Sequence, residues 1–312
     1  MATREDVKEL AESCRNWGRW GPNDELGTLN FVTSQTVVAA ASEIQTGQVL
    51  SLSIPFGPSG PQHGRDGRFN PIHLMLATGT DVATDYQQAR GGGFADDVVI
   101  MPLQCATQWD GLGHIYYERK MWNGYDVELV GAQGARRNAI PAFKDRLVGR
   151  GVLIDVAHFK GVDSLAPGEG ITAKDLEDTL AKEGVQVRQG DFLLIRTGQL
   201  GCCLKDGWGD YSGGDAPGLA LDTAPWLHAS EVAGVATDTW GAEVRPNEVP
   251  DMFQPWHHVV IPNIGLVVGE IFNLEGLAKA CAEDGRYTFF LSAPALPLEG
   301  AVGSPVNPLA IR

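Results

Sequence analysis

Apolar residues recur along the chain with two different spacings, one typical of strands and one typical of helices. Short apolar or alternating runs, bounded by turn residues, predict strands. They cover residues 49–54, 151–156, 190–196, 233–237 and 287–291. Apolar positions three and four residues apart, with cap residues at their ends, predict helices. These cover residues 1–16, 33–44, 173 onward and 273–281.

The order of these elements predicts the fold class. Strands and helices mix without a strict βαβ rhythm, which favours an α/β fold with a mixed central sheet. The chain has no internal repeat, low-complexity tract or flexible linker. We therefore expect a single domain over residues 1–312, with residues 1–31, a helix and an aromatic loop, packed on it. Residues 55–70 are rich in Gly, Pro, Arg and His and predict a surface loop that acts as a lid.

Charge narrows the range of partners. The chain has 24 Lys plus Arg and 39 Asp plus Glu, a net charge of −15. An acidic surface repels phosphate backbones and anionic lipids, so we expect a small-molecule partner rather than nucleic acid or a membrane. The five cysteines show no disulfide spacing, the N-terminus has no signal-peptide pattern, and no apolar run approaches the ~20 residues of a membrane span. These features predict a cytoplasmic location.

Common catalytic signatures are missing from the sequence. It has no Walker A motif, no GxSxG, no HExxH and no CxxC. The remaining candidates for a functional site are polar residues that lie within apolar sequence. Gln104, Gln108, Asp110 and His114 are separated by four, two and four residues, which on a strand would place all four on one face. Such a set is costly to bury unless it binds something, although a satisfied polar network would explain it as well.

A second pair of polar residues brackets the apolar run near residue 264. His258 and Glu270 stand twelve residues apart, and the surroundings of Glu270 predict that it is buried. A buried Glu is rarely unpaired, whereas a lone His at the start of a strand is usually structural. Adjacent residues of a strand face opposite ways, so only one of His257 and His258 should point inward. The spacing favours His258, and with Asp110 it would complete a set suited to Zn²⁺ or Mn²⁺.

These residues, together with segments 20–30 and 304–307, carry a resemblance that covers most of the chain. The sequence resembles the cyclase family, which includes bacterial kynurenine formamidase and isatin hydrolase. The family motif H-x-G-T-H-x-D-x-x-x-H corresponds to Q-C-A-T-Q-W-D-G-L-G-H at residues 104–114. Thr107, Asp110 and His114 match, whereas Gln104 and Gln108 replace two metal-ligand histidines, as in a branch with the phrase Q-W-D-G-L-x-H. The resemblance implies a swivelling β/β/α fold and a homo-oligomer, a dimer or tetramer.

The resemblance and the residues together predict a metal-dependent hydrolase. It would open a small cyclic amide or lactone, or an aryl formamide, with metal-activated water. His114 and Asp110 are the predicted catalytic residues, with His114 as general acid/base. The predicted ligands of the divalent metal, Zn or Mn, are Asp110, His258, Glu270 and Gln108.

Six further residues are candidates for substrate binding, chiefly as an aromatic wall and a carboxylate acceptor. They are Gln104, Trp109, Phe94, Trp122, Arg196 and His73. Core packing explains the aromatic residues equally well, and a structural ion pair at a strand end explains Arg196 equally well.

Two other functions remain open at this point. Asp110 and His114 could work without metal as an acid/base pair, in a cyclase, dehydratase or lactonase. Alternatively, the chain could be a non-catalytic binding protein that lost its activity with the two histidines. Enzymatic activity that persists after treatment with a chelator would favour the metal-free acid/base reaction.

Overall fold

A nine-stranded mixed sheet with helices around it organises the chain, which confirms the predicted α/β fold. The computed structural model describes residues 2–84, 86 and 91–312. The α-helices in this part are α1 (Arg4–Ser13), α2 (Ser34–Ala40), α3 (Gly79–Ala83), α4 (Val156–Lys160), α5 (Ala173–Glu183), α6 (Gln199–Asp206), α7 (Thr223–Ala229), α8 (Pro255–Val259) and α9 (Glu275–Asp284). The strands are β1 (Val49–Ser51), β2 (Ile72–Ala77), β3 (Asp96–Ile100), β4 (Gln108–Asp110), β5 (Val130–Gly131), β6 (Gly134–Ala135), β7 (Val148–Asp155), β8 (Gly170–Ile171), β9 (Phe192–Arg196), β10 (Gly218–Leu219), β11 (Gly234–Thr237), β12 (Val267–Glu270), β13 (Thr288–Ser292), β14 (Gly303–Pro305) and β15 (Leu309–Ile311).

The strand order places the carboxyl ends of four strands at one edge of the large sheet. The order is β1-β15-β13-β7-β9-β11-β12-β4-β14. Strands β7, β9, β11 and β12 run parallel, and β4 pairs antiparallel with β12. Side chains at the carboxyl ends of parallel strands meet at the same edge, which is where ligands bind in open α/β sheets. This arrangement brings the end of β12 beside β4.

The predicted helix α5 shows why the sequence was informative. Thr172 Oγ1 accepts a hydrogen bond from the Asp175 backbone N–H at 3.1 Å, and Asp175 Oδ2 accepts one from the Thr172 N–H at 2.9 Å. This capping box satisfies backbone donors that the first turn leaves free. Leu176 and Leu180 are buried, and Gly184 ends the helix at a φ of 69°. Predicted helix 1–16 forms over α1, although Met1 lies outside the described residues.

Two predicted strand segments differ in the structure. The run between His257 and Glu270 is helical first: α8 continues into a π-helix, Val260–Ile264, before β12 begins. Pro255 sits at the start of α8, where its fixed φ favours a helix and its missing N–H is not needed. Around the first motif only Gln108–Asp110 is a strand, because a turn at Pro102 precedes it. Alternation over residues 104–114 therefore does not hold.

The N-terminal segment packs on the π-helix. The Asn16 backbone N–H donates to the Asn263 carbonyl at 2.9 Å, and Trp17 Nε1 donates to the Pro262 carbonyl at 2.6 Å. Thr28 Oγ1 donates to the Gly265 carbonyl at 3.1 Å. These bonds hold the end of the helical segment that begins with α8.

Strands β2 and β3 form a separate two-stranded sheet that is exposed on both strands. A hairpin of two strands is marginal in water unless something covers its apolar side chains. The exposed apolar residues of this hairpin are Ile72, Leu74, Met75, Leu76, Val98, Val99 and Ile100. None of the helices in the described residues is long and apolar enough to cross a membrane.

Candidate metal centre

Three buried side chains from β4, α8 and β12 converge at the carboxyl end of β12. Asp110, His257 and Glu270 are each at most 2% exposed. One potential ligand atom from each lies within 4.8 Å of the other two. The antiparallel register places Gln108 opposite Glu270 and Asp110 opposite Val268. Sheet pairing therefore fixes the two carboxylates, and α8 supplies the imidazole.

A third carboxylate residue, Glu243, fixes the orientation of His257. Glu243 Oε1 lies 2.5 Å from His257 Nδ1 and accepts the His257 backbone N–H at 3.1 Å. Glu243 Oε2 accepts hydrogen bonds from the Trp256 N–H and from Asn247 Nδ2, both at 3.2 Å. A carboxylate on one ring nitrogen orients the other nitrogen toward a metal in many sites. Here the other nitrogen, Nε2, lies 3.4 Å from Glu270 Oε1.

Several buried polar atoms around this centre have no hydrogen-bond partner among the residues that the structure describes. They are Asp110 Oδ1, His257 Nε2 and Gln108 Oε1. Leaving such an atom unsatisfied costs about 1–3 kcal/mol, and more for a charged group. All three can donate electron pairs, so a bound cation would satisfy them together. The amide nitrogen of Gln108 donates to Glu270 Oε2 at 2.8 Å, so the neighbouring carboxylate is also held in place.

The electrostatics of the cluster favour positive charge at its centre. Burial raises the pKa of Glu270 to about 7, and the Asp110 carboxylate acts in the same direction. Burial opposes the charged form of His257, but its contacts with Glu243 and Glu270 raise its pKa to about 10. In both cases a proton compensates for carboxylates crowded into a dry site. A divalent cation would provide that compensation more fully, so the residues fit a metal.

His114 stands at the side of this cluster. Its Nε2 lies 3.7 Å from Asp110 Oδ1, which is too long for a hydrogen bond but close enough for one to form with a small movement. Burial lowers the pKa of His114, the Asp110 charge opposes this effect, and the charges of Arg68 and His257 add to it. The imidazole is therefore neutral at pH 7 and can accept a proton.

The structure directs His257, rather than the predicted ligand His258, toward the cluster. The ring of His258 stacks on Tyr117, with centroids 5.7 Å apart, and His257 faces Glu270 instead. The predicted strand geometry, which favoured His258, was wrong because this segment is helical, and successive helical residues are about 100° apart rather than on opposite faces. Burial, and then the His257 charge, lower the pKa of His258 to about 4.

Two predicted aromatic wall residues belong to the core. Trp109 is fully buried on the face of β4 opposite to Gln108 and Asp110 and packs edge-on against Phe272 at 5.1 Å. Trp122 is also fully buried, and its Nε1 donates to Asp24 Oδ2 at 3.0 Å. Core packing, the alternative considered for both, accounts for them.

Other substrate candidates lie outside the cluster. Arg196 pairs with Glu275 at 2.8 Å and with Asp155 at 3.0 Å, a structural network at the ends of β7 and β9. His73 Nε2 contacts Asp97 on the exposed hairpin at 2.8 Å.

The last two candidates differ in their surroundings. Phe94 is 48% exposed in the segment before β3. Gln104 is half-buried, and its side chain lies over Gly303, the residue opposite Asp110 in the sheet.

Sequence reasoning missed Glu243, Trp240 and two arginines, Arg68 and Arg245. Glu243 and Trp240 follow the predicted strand 233–237, so their position beyond a carboxyl strand end was the available signal. Arg68 lay in the predicted lid loop and had no sequence feature that connected it to the cluster.

The fold and this cluster define a mixed α/β protein with an Asp-His-Glu centre of metal-binding type. The family model described as "Putative cyclase" matches residues 50–244. The crystal structure described as that of a novel cyclase is similar over 97% of this chain and 99% of that chain, with 40% identity and a TM-score of 0.88. The chain therefore belongs to the cyclase family.

More distant structures share the fold. Isatin hydrolase A from Ralstonia solanacearum has 18% identity and a TM-score of 0.62, over 89% of this chain and 97% of that one. A predicted metal-dependent hydrolase from Bacillus stearothermophilus has 20% identity and a TM-score of 0.55, over 84% and 97%. No curated protein matches the chain.

Proposed function

We propose that this protein is a divalent-metal-dependent hydrolase that opens a small cyclic amide or lactone. The observation that supports it best is the buried cluster of Asp110, His257 and Glu270, whose ligand atoms lie within 4.8 Å of one another. In the described part of the chain, Asp110 Oδ1, His257 Nε2 and Gln108 Oε1 have no hydrogen-bond partner, and a bound cation would satisfy them. Family membership and the names of structurally similar proteins, an isatin hydrolase and a metal-dependent hydrolase, point to the same chemistry.

The residues that would hold the ion are Asp110, His257 and Glu270, with the free carbonyl of Gln108 beside them. A divalent cation such as Zn²⁺ or Mn²⁺ would supply Lewis acidity, which makes water nucleophilic near neutral pH and polarises a carbonyl. Glu243 holds the proton on His257 Nδ1, so that a cation that displaces the Nε2 proton would meet a lone pair directed at the cluster.

His114 is the proposed general acid/base. Its partly buried imidazole is neutral at pH 7 and sits beside Asp110, so it can take a proton from attacking water. The same proton can then pass to the leaving nitrogen or oxygen as the ring opens.

The test uses two adjacent histidines as a matched pair. We expect about one Zn or Mn ion per wild-type chain by mass spectrometry, after loading and desalting. His257→Ala should lose the ion, whereas His258→Ala should keep it, because only His257 faces Glu270. Equal metal content in the two variants would contradict the assignment of the ligand.

Activity is measured with a panel of cyclic amides, lactones and aryl formamides, through the acid released into a pH indicator. Chelation should abolish turnover, and added Zn²⁺ or Mn²⁺ should restore it. Metal-free protein that stays active after chelation would refute the proposal and favour a metal-free acid/base reaction by Asp110 and His114.

A further inference from the structure

Two arginine side chains approach the same indole ring. The guanidinium carbon of Arg68 lies 4.9 Å from the Trp240 ring centroid, and that of Arg245 lies 5.8 Å from it. Arg245 also lies 5.7 Å from the Phe253 ring. Guanidinium groups are attracted to aromatic faces, so the Trp240 ring holds both arginine side chains at this place in the fold.

Neither guanidinium group has an anionic partner among residues 2–84, 86 and 91–312. Within this part of the chain neither side chain forms an ion pair within 4.0 Å or donates a hydrogen bond, and Nη1 of Arg245 is buried without any partner. Burial lowers the pKa of Arg245, and the Arg65 charge acts in the same direction. Glu243, Asp66 and Asp215 oppose this effect from beyond ion-pair distance. A chain with a net charge of −15 has many carboxylates, yet none of those in the described part of the chain pairs with these two groups.

The arginine pair lies next to the candidate metal centre. Trp240 Nε1 donates to Gln62 Oε1 at 3.2 Å, and Gln62 Nε2 donates to the Cys105 carbonyl at 2.8 Å, which fastens the 55–70 loop beside the first motif. Trp240 packs in one apolar cluster with Cys105 and Ile271, the residue after Glu270. The Arg68 charge is near enough to influence both Glu270 and His114.

We propose that Arg68 and Arg245, together with Trp240, form a carboxylate-binding subsite, so that the substrate is a cyclic amide or lactone that itself carries a carboxylate. This inference rests on the proposed hydrolase function. The forked donors of a guanidinium match the two oxygens of a carboxylate, and a bound carboxylate would supply the anionic partner that both guanidinium groups lack among the described residues. Because neither arginine contacts the Asp-His-Glu cluster, the subsite would hold the substrate's own carboxylate rather than the one formed by ring opening.

The test measures binding of benzoate and of benzamide, its neutral counterpart, by calorimetry. The protein is first treated with a chelator, so that no metal can hold the benzoate. We expect benzoate to bind and benzamide to bind far more weakly. Arg68→Gln and Arg245→Gln should each weaken benzoate binding about 10- to 100-fold, the range for a lost charge-assisted hydrogen bond. Arg68→Lys keeps the charge and should weaken binding less than Arg68→Gln.

The matched control is Arg119→Gln, which removes an exposed arginine already paired with Glu128 at 2.7 Å. It should bind benzoate as the wild type does. Equal affinity for benzoate and benzamide, or unchanged benzoate affinity in both arginine variants, would overturn the subsite.

Metal content, measured on separate samples of the same proteins that are loaded with Zn²⁺ or Mn²⁺ instead of being chelated, separates this outcome from failure of the proposed function. Protein that takes up metal but binds benzoate independently of the two arginines overturns the subsite alone. Arginine-dependent binding in protein that never takes up metal supports the anion site and overturns the hydrolase proposal.

Discussion

Replacing Glu243 with Gln is a sharp test of how the candidate centre is held. Glu243 uses one oxygen for the His257 backbone N–H and Nδ1, and the other for the Trp256 N–H and Asn247 Nδ2. A glutamine has one carbonyl oxygen and one NH₂ group. Whichever way the amide turns, its NH₂ group faces donors at one of the two positions. Shape is conserved, but at least one acceptor is lost at a site that is 2% exposed.

Two magnitudes follow from this geometry. Leaving a buried donor unpaired should lower the free energy of unfolding of the metal-free protein by about 1–3 kcal/mol. Loss of the negative charge behind His257 weakens its Nε2 as a ligand, and changes of this kind reduce metal affinity about 10- to 100-fold. At a fixed metal concentration well above saturation, the metal-dependent stabilisation should then fall by about 1.4–2.7 kcal/mol.

Metal affinity is measured by competition with a chromophoric chelator, and stability by thermal unfolding with and without Mn²⁺ or Zn²⁺. Glu248→Gln is the control, because Glu248 is a half-buried carboxylate that accepts the Leu221 backbone N–H and does not contact His257. Its amide oxygen can still accept the Leu221 N–H, so this variant should keep both the stability and the metal affinity of the wild type. If Glu243→Gln binds metal as tightly as the wild type, the argument that Glu243 orients the ligand is refuted.

Three further predictions address acid/base chemistry, stability and assembly. His114→Gln should lower kcat about 100- to 10,000-fold. Because burial lowers the pKa of His114, the rate of the wild-type protein should fall only below about pH 6.5, the ordinary pKa of histidine. A fall that begins well above that pH would contradict the role of His114 as general acid/base. Burial raises the pKa of Glu183 from 4.5 to about 8, so unfolding releases a proton between pH 4.5 and 8, and the stability of the fold decreases as pH rises through this range. Glu183→Gln should make stability less dependent on pH in thermal unfolding scans from pH 5 to 8, and an unchanged pH dependence would refute this prediction. We expect a homo-oligomer in which a second copy of the chain covers the β2–β3 hairpin, because the surface of its seven exposed apolar side chains approaches the ~800 Å² that each partner buries in a stable interface. The double variant Leu74→Lys with Leu76→Lys should have the mass of a monomer in light scattering. A wild-type protein that is already a monomer would contradict this prediction.

The sequence was most informative where local chemistry alone decides structure. The helix that begins after Thr172 follows from its capping box, and β9 follows from a continuous apolar run, because both signals lie within a few residues. Asp110 and Glu270 could be singled out for a related reason. A carboxylate within apolar sequence is conspicuous, since it is rarely buried unless something pairs with it.

Residues whose role depends on distant packing could not be found in this way. His257 faces Glu270 because the segment around it is helical, and a short apolar run does not distinguish a helix from a buried strand. Trp109 looked like an exposed aromatic wall, yet the alternation of β4 turns it toward the core. Glu243 is fourteen residues from His257 in sequence, and only folding brings the two side chains together.

The contacts of Gln104 and Gln108, which stand where the resemblance implies two histidines, account for an amide at both positions. Gln108 lies opposite Glu270 in the sheet and donates a hydrogen bond to it, a role that an uncharged amide fills while its carbonyl faces the cluster. Gln104 packs over Gly303, the residue opposite Asp110 in the sheet. The candidate donor set then contains one nitrogen, from His257, and otherwise oxygens. Such a set would suit a single divalent ion, and metal binding would then depend most on the orientation of that one imidazole by Glu243.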